Sequence, residues 1–248
     1  MLADDLRFAL DPVAFARERL AITPDPWQER ALRLRNKRLL LNCSRQAGKS
    51  TLAAIAVLHQ AIFFAGSLSI LISPSQRQSS ELFRKVTQFL GRLQQKPEMT
   101  EENKLSLILK GGSRVVSLPA SEATIRGFSG ANLIVEDEAS RVPDDLYRSI
   151  RPMLATSDGR LILMSTPFGR RGHFFEEWQR PERWERISIK GSECPRIRPE
   201  FLEEERASLG DWWFSQEYGC EFVENTDQVF SYDAVMAAMS SEIKPLFA

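Results

Sequence analysis

The segment Leu39-Leu40-Leu41-Asn42-Cys43-Ser44-Arg45-Gln46-Ala47-Gly48-Lys49-Ser50-Thr51 constrains this chain more than any other. A short apolar run of buried-strand type meets a polar loop and then Gly-Lys-Ser. Beyond it Leu52, Ala53, Ile55, Ala56, Leu58 and Ile62 recur at helical spacing. Strand, tight loop and helix in that order are the setting of a phosphate-binding loop. Its backbone N–H groups face phosphate oxygens, and the helix dipole favours the negative charge. Gly48 lets the backbone come close. Lys49 reaches terminal phosphates, and the Ser50 hydroxyl is offered to Mg²⁺. Cys43 stands where the pattern G-x-x-x-x-G-K-[ST] has its first glycine. On this segment alone, a Gly-Lys-Ser turn before an ordinary helix stays open as the alternative.

A second segment points the same way. Ala131-Asn132-Leu133-Ile134-Val135-Glu136-Asp137-Glu138-Ala139 is an apolar strand that runs into three acids. Carboxylates at the carboxyl end of a strand in an open α/β sheet stand where ligands bind. Asp137 is the candidate for holding Mg²⁺, and Glu138 for polarising an attacking water. Strand alternation points Glu136 away from Asp137, so it receives no metal role. The bland alternative is a solvated acidic turn after a core strand.

The rest of the chain supplies the frame. Helices are expected over 11–20, 27–34, 48–62, 76–95 and 144–154. Strands are expected over 39–42, 68–73, 132–135, 160–165 and 186–190, with a hairpin pair at 105–109 and 115–118. This alternation predicts an α/β fold of P-loop NTPase type, a mainly parallel sheet with helices on both faces. The aromatic-rich, mostly helical stretch 199–222 is read as a small lid whose Trp212-Trp213-Phe214 run packs in its core. Three parts follow: an N-terminal helical segment over 1–36, the nucleotide-binding core over 37–190, and a lid with the start of a linker over 191–248.

Composition sets limits. Of 248 residues 43% are hydrophobic and 27% charged, a soluble globular mixture with enough apolar residues for a sizeable core. Lys+Arg and Asp+Glu both number 33, a balance that neither supports nor excludes a DNA-binding patch. Three scattered cysteines and two histidines make a zinc site or disulfide framework a poor fit and favour a reducing compartment. His59 reads as a packing or surface residue. The basic run Arg30, Arg33, Arg35, Lys37, Arg38 and the pair Arg170-Arg171 are read as a solvated helix face or as phosphate contacts.

Together these motifs resemble the large subunit of tailed-bacteriophage terminases, in its N-terminal ATPase motor. The likeness rests on Ser44-Arg45-Gln46-Ala47-Gly48-Lys49-Ser50, on Val135-Glu136-Asp137-Glu138-Ala139, on Leu163-Met164-Ser165-Thr166-Pro167, similar to the family's coupling motif, and on Pro26-Trp27-Gln28, similar to its adenine motif. The resemblance implies ATP and Mg²⁺ as cofactors, with Trp27, Gln28 and residues Ser44, Arg45, Gln46, Ala47, Gly48, Lys49, Ser50 and Thr51 around the nucleotide. Ser50 and Asp137 take the metal; Glu138 and Lys49 serve catalysis; Ser165, Thr166 and Pro167 couple hydrolysis to motion. It makes Arg126 a candidate arginine finger given to a neighbouring subunit, beside the plainer reading of a loop arginine in a salt bridge.

The implied partners are double-stranded DNA, a portal protein and a small terminase subunit. The implied assembly is a homo-oligomeric ring, with monomers in isolation. The setting is the host cytoplasm, with no membrane. Terminase large subunits continue into an RNase H-like nuclease. Here Gln216-Glu217-Tyr218-Gly219-Cys220-Glu221-Phe222 resembles the segment before the linker and the sequence stops at Ala248, so an isolated motor without nuclease activity is expected. A superfamily 2 helicase lobe and a binding module with an inactive phosphate loop remain the alternatives.

Overall fold

The computed structural model describes residues 2–120, 127–224 and 232–239. Eight strands form one sheet among them: β1 (Arg38–Cys43), β2 (Leu68–Ser73), β3 (Met99–Glu102), β4 (Ser106–Leu109), β5 (Arg114–Pro119), β6 (Leu133–Asp137), β7 (Arg160–Ser165) and β8 (Glu185–Ile189). The spatial order is β3-β4-β5-β2-β6-β7-β1-β8. Every pairing from β5 to β8 is parallel, and the β3-β4-β5 edge is antiparallel. The helices are α1 (Leu2–Leu10), α2 (Pro12–Glu18), α3 (Pro26–Arg33), α4 (Lys49–Phe63), α5 (Gln76–Arg92), α6 (Asp144–Ile150), α7 (Gly172–Trp178), α8 (Pro199–Glu217) and α9 (Tyr232–Ala238).

The two-residue period of a strand divides the core in two. Leu39, Leu41 and Cys43 of β1 face one apolar cluster with Leu52, Ile55 and Leu58 of α4 and Leu82, Phe83 and Val86 of α5. Leu40 faces the opposite cluster, with Leu146 and Ile150 of α6 and Phe174 of α7. Helices therefore cover both faces, as the alternating pattern predicts. Each leucine buried this way stabilises the fold by about 2 kcal/mol relative to exposure. The same alternation decides the fate of the β6 acids. Leu133 and Val135 face the α4 side, Ile134 the α6 side, and Glu136 follows Ile134.

One expectation about the last third changes. The aromatic run is not the core of a lid. Trp213 is 45% exposed, and Trp212 and Phe214 are half-buried. The backbone of α8 breaks at Gly210 (φ +76°), and most of the helix faces solvent. Trp212 spends its N–H on the Glu224 carbonyl at 2.8 Å and meets Trp213 edge-on. The basic run near the start is largely internally paired: Arg30 with Glu185, Arg33 with Asp11, Lys37 with Asp158. His59 is buried against the Phe8 carbonyl at 2.9 Å, the packing role expected. No helix among the described residues is long and apolar enough to cross a membrane.

Candidate nucleotide site

The carboxyl ends of β1, β6 and β7 stand side by side, with Asn42 opposite Ser165 and Asp137 opposite Met164. The loop after β1 occupies this edge. Cys43 still pairs with Ile189 as a strand residue, so its backbone is extended and requires no glycine. Gln46 takes φ +60° and Gly48 φ +97°. A Cβ on Gly48 would sit 2.7 Å from Gln28 Nε2 and 2.8 Å from Arg196 Nη2, so side chains already close the space around it. Lys49 is buried, and its Nζ donates to the loop carbonyls of Cys43 and Ser44 at 3.1 and 3.2 Å. The first N–H groups of α4 have no acceptor within their own helix.

Asp137 and Glu138 sit across from that loop. Ser50, Asp137 and Glu138 line one open recess of about 440 Å³, together with Arg77, Arg84 and Lys85 of α5. Burial, then the adjacent Glu138 carboxylate, push Asp137 up to about 7 against the pull of Lys49. Glu138 holds φ +51°, ψ +41°, a left-handed conformation uncommon for a residue with a side chain. Its Oε2 accepts from Arg141 Nη1 at 3.1 Å and lies 3.5 Å from the Ser165 hydroxyl. Ser140 and Ser165 share a hydrogen bond of 2.7 Å, and Arg141 reaches Thr166 Oγ1 at 3.3 Å. Ser165 and Thr166 are thus brought beside Glu138, with Pro167 next in chain.

Glu136 turns to the other face, as its place in the strand dictates. It is fully buried and receives His173 Nε2 at 2.7 Å, while His173 Nδ1 meets Asp144 at 3.0 Å. Tyr147 stacks on the imidazole with centroids 4.3 Å apart. Burial alone lowers the His173 pKa; the carboxylates of Glu136 and Asp144 outweigh it, and the pKa is raised.

The adenine-motif residues are also near the loop. Gln28 Nε2 donates to the Gly48 carbonyl at 3.0 Å, and its Oε1 accepts from Asp25 N at 2.8 Å. Trp27 is buried. Arg45 turns outward, 63% exposed, and pairs with Glu217 at 2.7 Å. Ser44 and Ala47 are buried in the loop, with Thr51 half-buried in the first turn of α4. Arg126 lies outside the described residues.

Three contributors escaped the motif reading. Arg141 follows Glu138 by three residues with no pattern to single it out. Glu217 lies 76 residues further along. Arg196 joins Asp25 at 2.7 Å to the Ala47 carbonyl at 2.6 Å, tying the N-terminal segment over the loop. No local sequence signal marks any of the three, because each reaches the site through a tertiary contact.

The chain matches the family model described as terminase large subunit, T4likevirus-type, N-terminal, over residues 40–235. It is 27% identical to the terminase large subunits of Thermus phage G20c and Thermus virus P23-45, covering 79% of this chain and 48% of each of those. The chain therefore spans about half the length of the curated relatives it matches. In fold it is similar to the large terminase ATPase domain of Thermus phage P74-26, with TM-score 0.77 and 24% identity over 86% of this chain and 100% of that one. With a family match over most of its length, falling on the same loop, acidic strand end and following strand that build the site, the chain belongs to the N-terminal family of T4-like-virus-type terminase large subunits.

Proposed function

We propose that the chain is an ATP-hydrolysing motor that drives double-stranded DNA into a viral procapsid. The observation that carries this reading is the convergence of Ser50, Asp137 and Glu138 on one recess at the carboxyl edge of the sheet, with the buried Lys49 held in the adjoining loop. The family to which the chain belongs and the ATPase domain named for the Thermus phage P74-26 protein support it.

The residues fit Mg-ATP on their own chemistry. Gly48 holds the loop at φ +97°, a conformation a side chain would strain, and the helix start behind it favours a phosphate. Ser50 and Asp137 offer the hard oxygen donors that Mg²⁺ takes beside phosphates. Burial first, and then the Glu138 carboxylate, raise Asp137, and a bound cation offsets both. Bound there, Mg²⁺ supplies charge neutralisation on the phosphate oxygens.

The chain's own groups do the rest. Lys49 exchanges its two loop carbonyls for phosphate oxygens. Glu138 orients water and accepts its proton, held by Arg141 and by its own backbone conformation. Gln28, anchored between Asp25 and Gly48, and Trp27 stand at the base side. Arg45 meets the terminal phosphate. Arg126 completes a neighbour's site in a ring of subunits. Ser165, Thr166 and Pro167 pass the loss of phosphate from the core over 37–190 to the lid over 191–248. A portal protein and a small terminase subunit are the expected partners, in the host cytoplasm.

ATP hydrolysis by this chain, wild type beside Lys49→Ala, tests the reading. Mg²⁺-dependent turnover that is lost in the variant supports it. Equal turnover in the two proteins would overturn it.

A further inference from the structure

The amino ends of β6 and β7 stand at the sheet edge opposite to Asp137 and Ser165, and Leu133 and Arg160 open the two strands there. A cavity of about 180 Å³ lies beside them, walled also by Arg35, which follows α3, and by Ala56, His59 and Gln60 of α4. α4 has run about 15 Å from Lys49 when it reaches His59. The cavity shares no residue with the nucleotide recess.

Two guanidinium groups line this cavity, and no carboxylate does. Arg160 Nη2 donates to the Ala31 carbonyl at 3.2 Å, and its Nε is buried with no hydrogen-bond partner among the described residues. Arg35 Nη2 donates to the Leu10 carbonyl at 2.7 Å. Arg30, Arg33 and Lys37 of the same basic run each hold a carboxylate. Arg35 and Arg160 hold none among the described residues, and their acceptors are neutral carbonyls. Burial, then the charge of Arg35, push the Arg160 pKa down to about 10. His59 adds no charge at neutral pH: burial lowers its pKa, and its Nε2 meets the Phe8 carbonyl at 2.9 Å.

A half-buried guanidinium beside a second cation is costly until an anion joins them. Guanidinium groups take phosphate oxygens through paired N–H donors. A phosphate group with a free end carries about two negative charges above neutral pH, the match for two arginines, whereas a carboxylate carries a single one. Drug-sized ligands need about 300 Å³ or more, so the occupant is one small group. We propose that this cavity binds a phosphate dianion between Arg35 and Arg160, apart from the phosphate loop. Free phosphate and the terminal phosphate of a nucleic-acid chain present the same chemistry to it.

Inorganic phosphate is titrated into the full chain by calorimetry at constant ionic strength, with acetate as the control anion. The phosphate loop is the other place for this ion, so Lys49→Ala and Arg35→Gln are compared singly and together. Lys49→Ala is expected to keep the cavity site, Arg35→Gln to keep the loop site, and the double variant to keep neither. Each loss reads as an affinity weaker by about tenfold or more. Arg35 is exposed, so its variant keeps the fold, and Arg160→Gln in the Lys49→Ala chain should give the same loss. If Lys49→Ala does not fold, a second phosphate bound by the wild type and lost in Arg35→Gln supports the site, and equal stoichiometry overturns it. Binding by Lys49→Ala that Arg35→Gln leaves unchanged, or that acetate matches, would overturn the proposal, as would no binding at all. Displacement of phosphate by a DNA duplex with phosphorylated ends, and not by the same duplex with unphosphorylated ends, names the chain end as the source. Displacement by neither names free phosphate, and equal displacement by both would overturn the dianion.

Discussion

Gln28 Nε2 donates to the carbonyl of Gly48 at 3.0 Å, and the same nitrogen would lie 2.7 Å from any Cβ placed on that glycine. Gln28 and the loop after β1 are thus one packed unit, and the glycine meets its first demand in the backbone. It supplies φ +97° and leaves room for Gln28 and Arg196.

Gly48→Ala is expected to cost about 1–3 kcal/mol of stability from the backbone conformation and the displaced neighbours. Nucleotide affinity should fall more than about tenfold, because the displaced loop no longer aims its N–H groups. Urea unfolding and nucleotide titration read the two effects. A variant with unchanged unfolding midpoint and affinity would show that the loop has slack the contacts deny.

The legible parts of this molecule are those with a local signature. Residues 68–73 and 160–165 read at their observed bounds because each carries a continuous apolar centre, Ile70-Leu71-Ile72 and Leu161-Ile162-Leu163-Met164, the mark of a strand buried on both faces. The edge strand β3, Met-Thr-Glu-Glu, is exposed at every position and carries no apolar alternation, so nothing announced it. α7 is short and starts at a glycine, with buried His173 and Glu177 where a surface helix would have apolar residues, and it too went unread. At the site, Lys49, Ser50, Asp137 and Glu138 stand in motifs whose spacing is set by one strand and one turn. Arg141 and Glu217 meet only because α8 returns to the sheet edge, a tertiary contact with no sequence period. The exposed Trp213 shows the converse, since aromatic content signals burial only where the fold supplies a surface to bury it against.

The His173 network has a pH signature. Its raised pKa means that the folded state holds the proton more tightly than the unfolded chain. The stability from this pairing is complete below the unfolded value near pH 6.5 and is lost as pH rises through the folded pKa. Thermal melts from about pH 6 to about pH 9 should show a decline that His173→Gln flattens. The variant itself should lose about 3 kcal/mol at pH 6, because Glu136 is left buried without a cation. Parallel melting curves for the two proteins across that range would refute the pairing.

Asp137 gives metal binding a pH dependence of the opposite sense. With its carboxyl pushed up to about 7, it must lose a proton before taking a cation. Mg²⁺ affinity for the nucleotide complex should be roughly tenfold weaker at pH 6 than at pH 8. Calorimetry in buffers of different ionisation heat should find close to one proton released per metal at the lower pH. Without metal, the same raised pKa predicts that Asp137→Asn stabilises the protein at pH 8 and has little effect at pH 4. An affinity flat across the range would mean that Asp137 is not the metal's carboxylate.

The measurement that reaches furthest is Mg²⁺-dependent ATP hydrolysis over a series of protein concentrations, wild type beside Glu138→Gln. Turnover in the wild type that falls about a thousandfold in the variant, and that rises per molecule as subunits associate, is the expected result. Equal rates in the two proteins would contradict the assignment of Glu138, and no hydrolysis by the wild type at any concentration would contradict the motor itself.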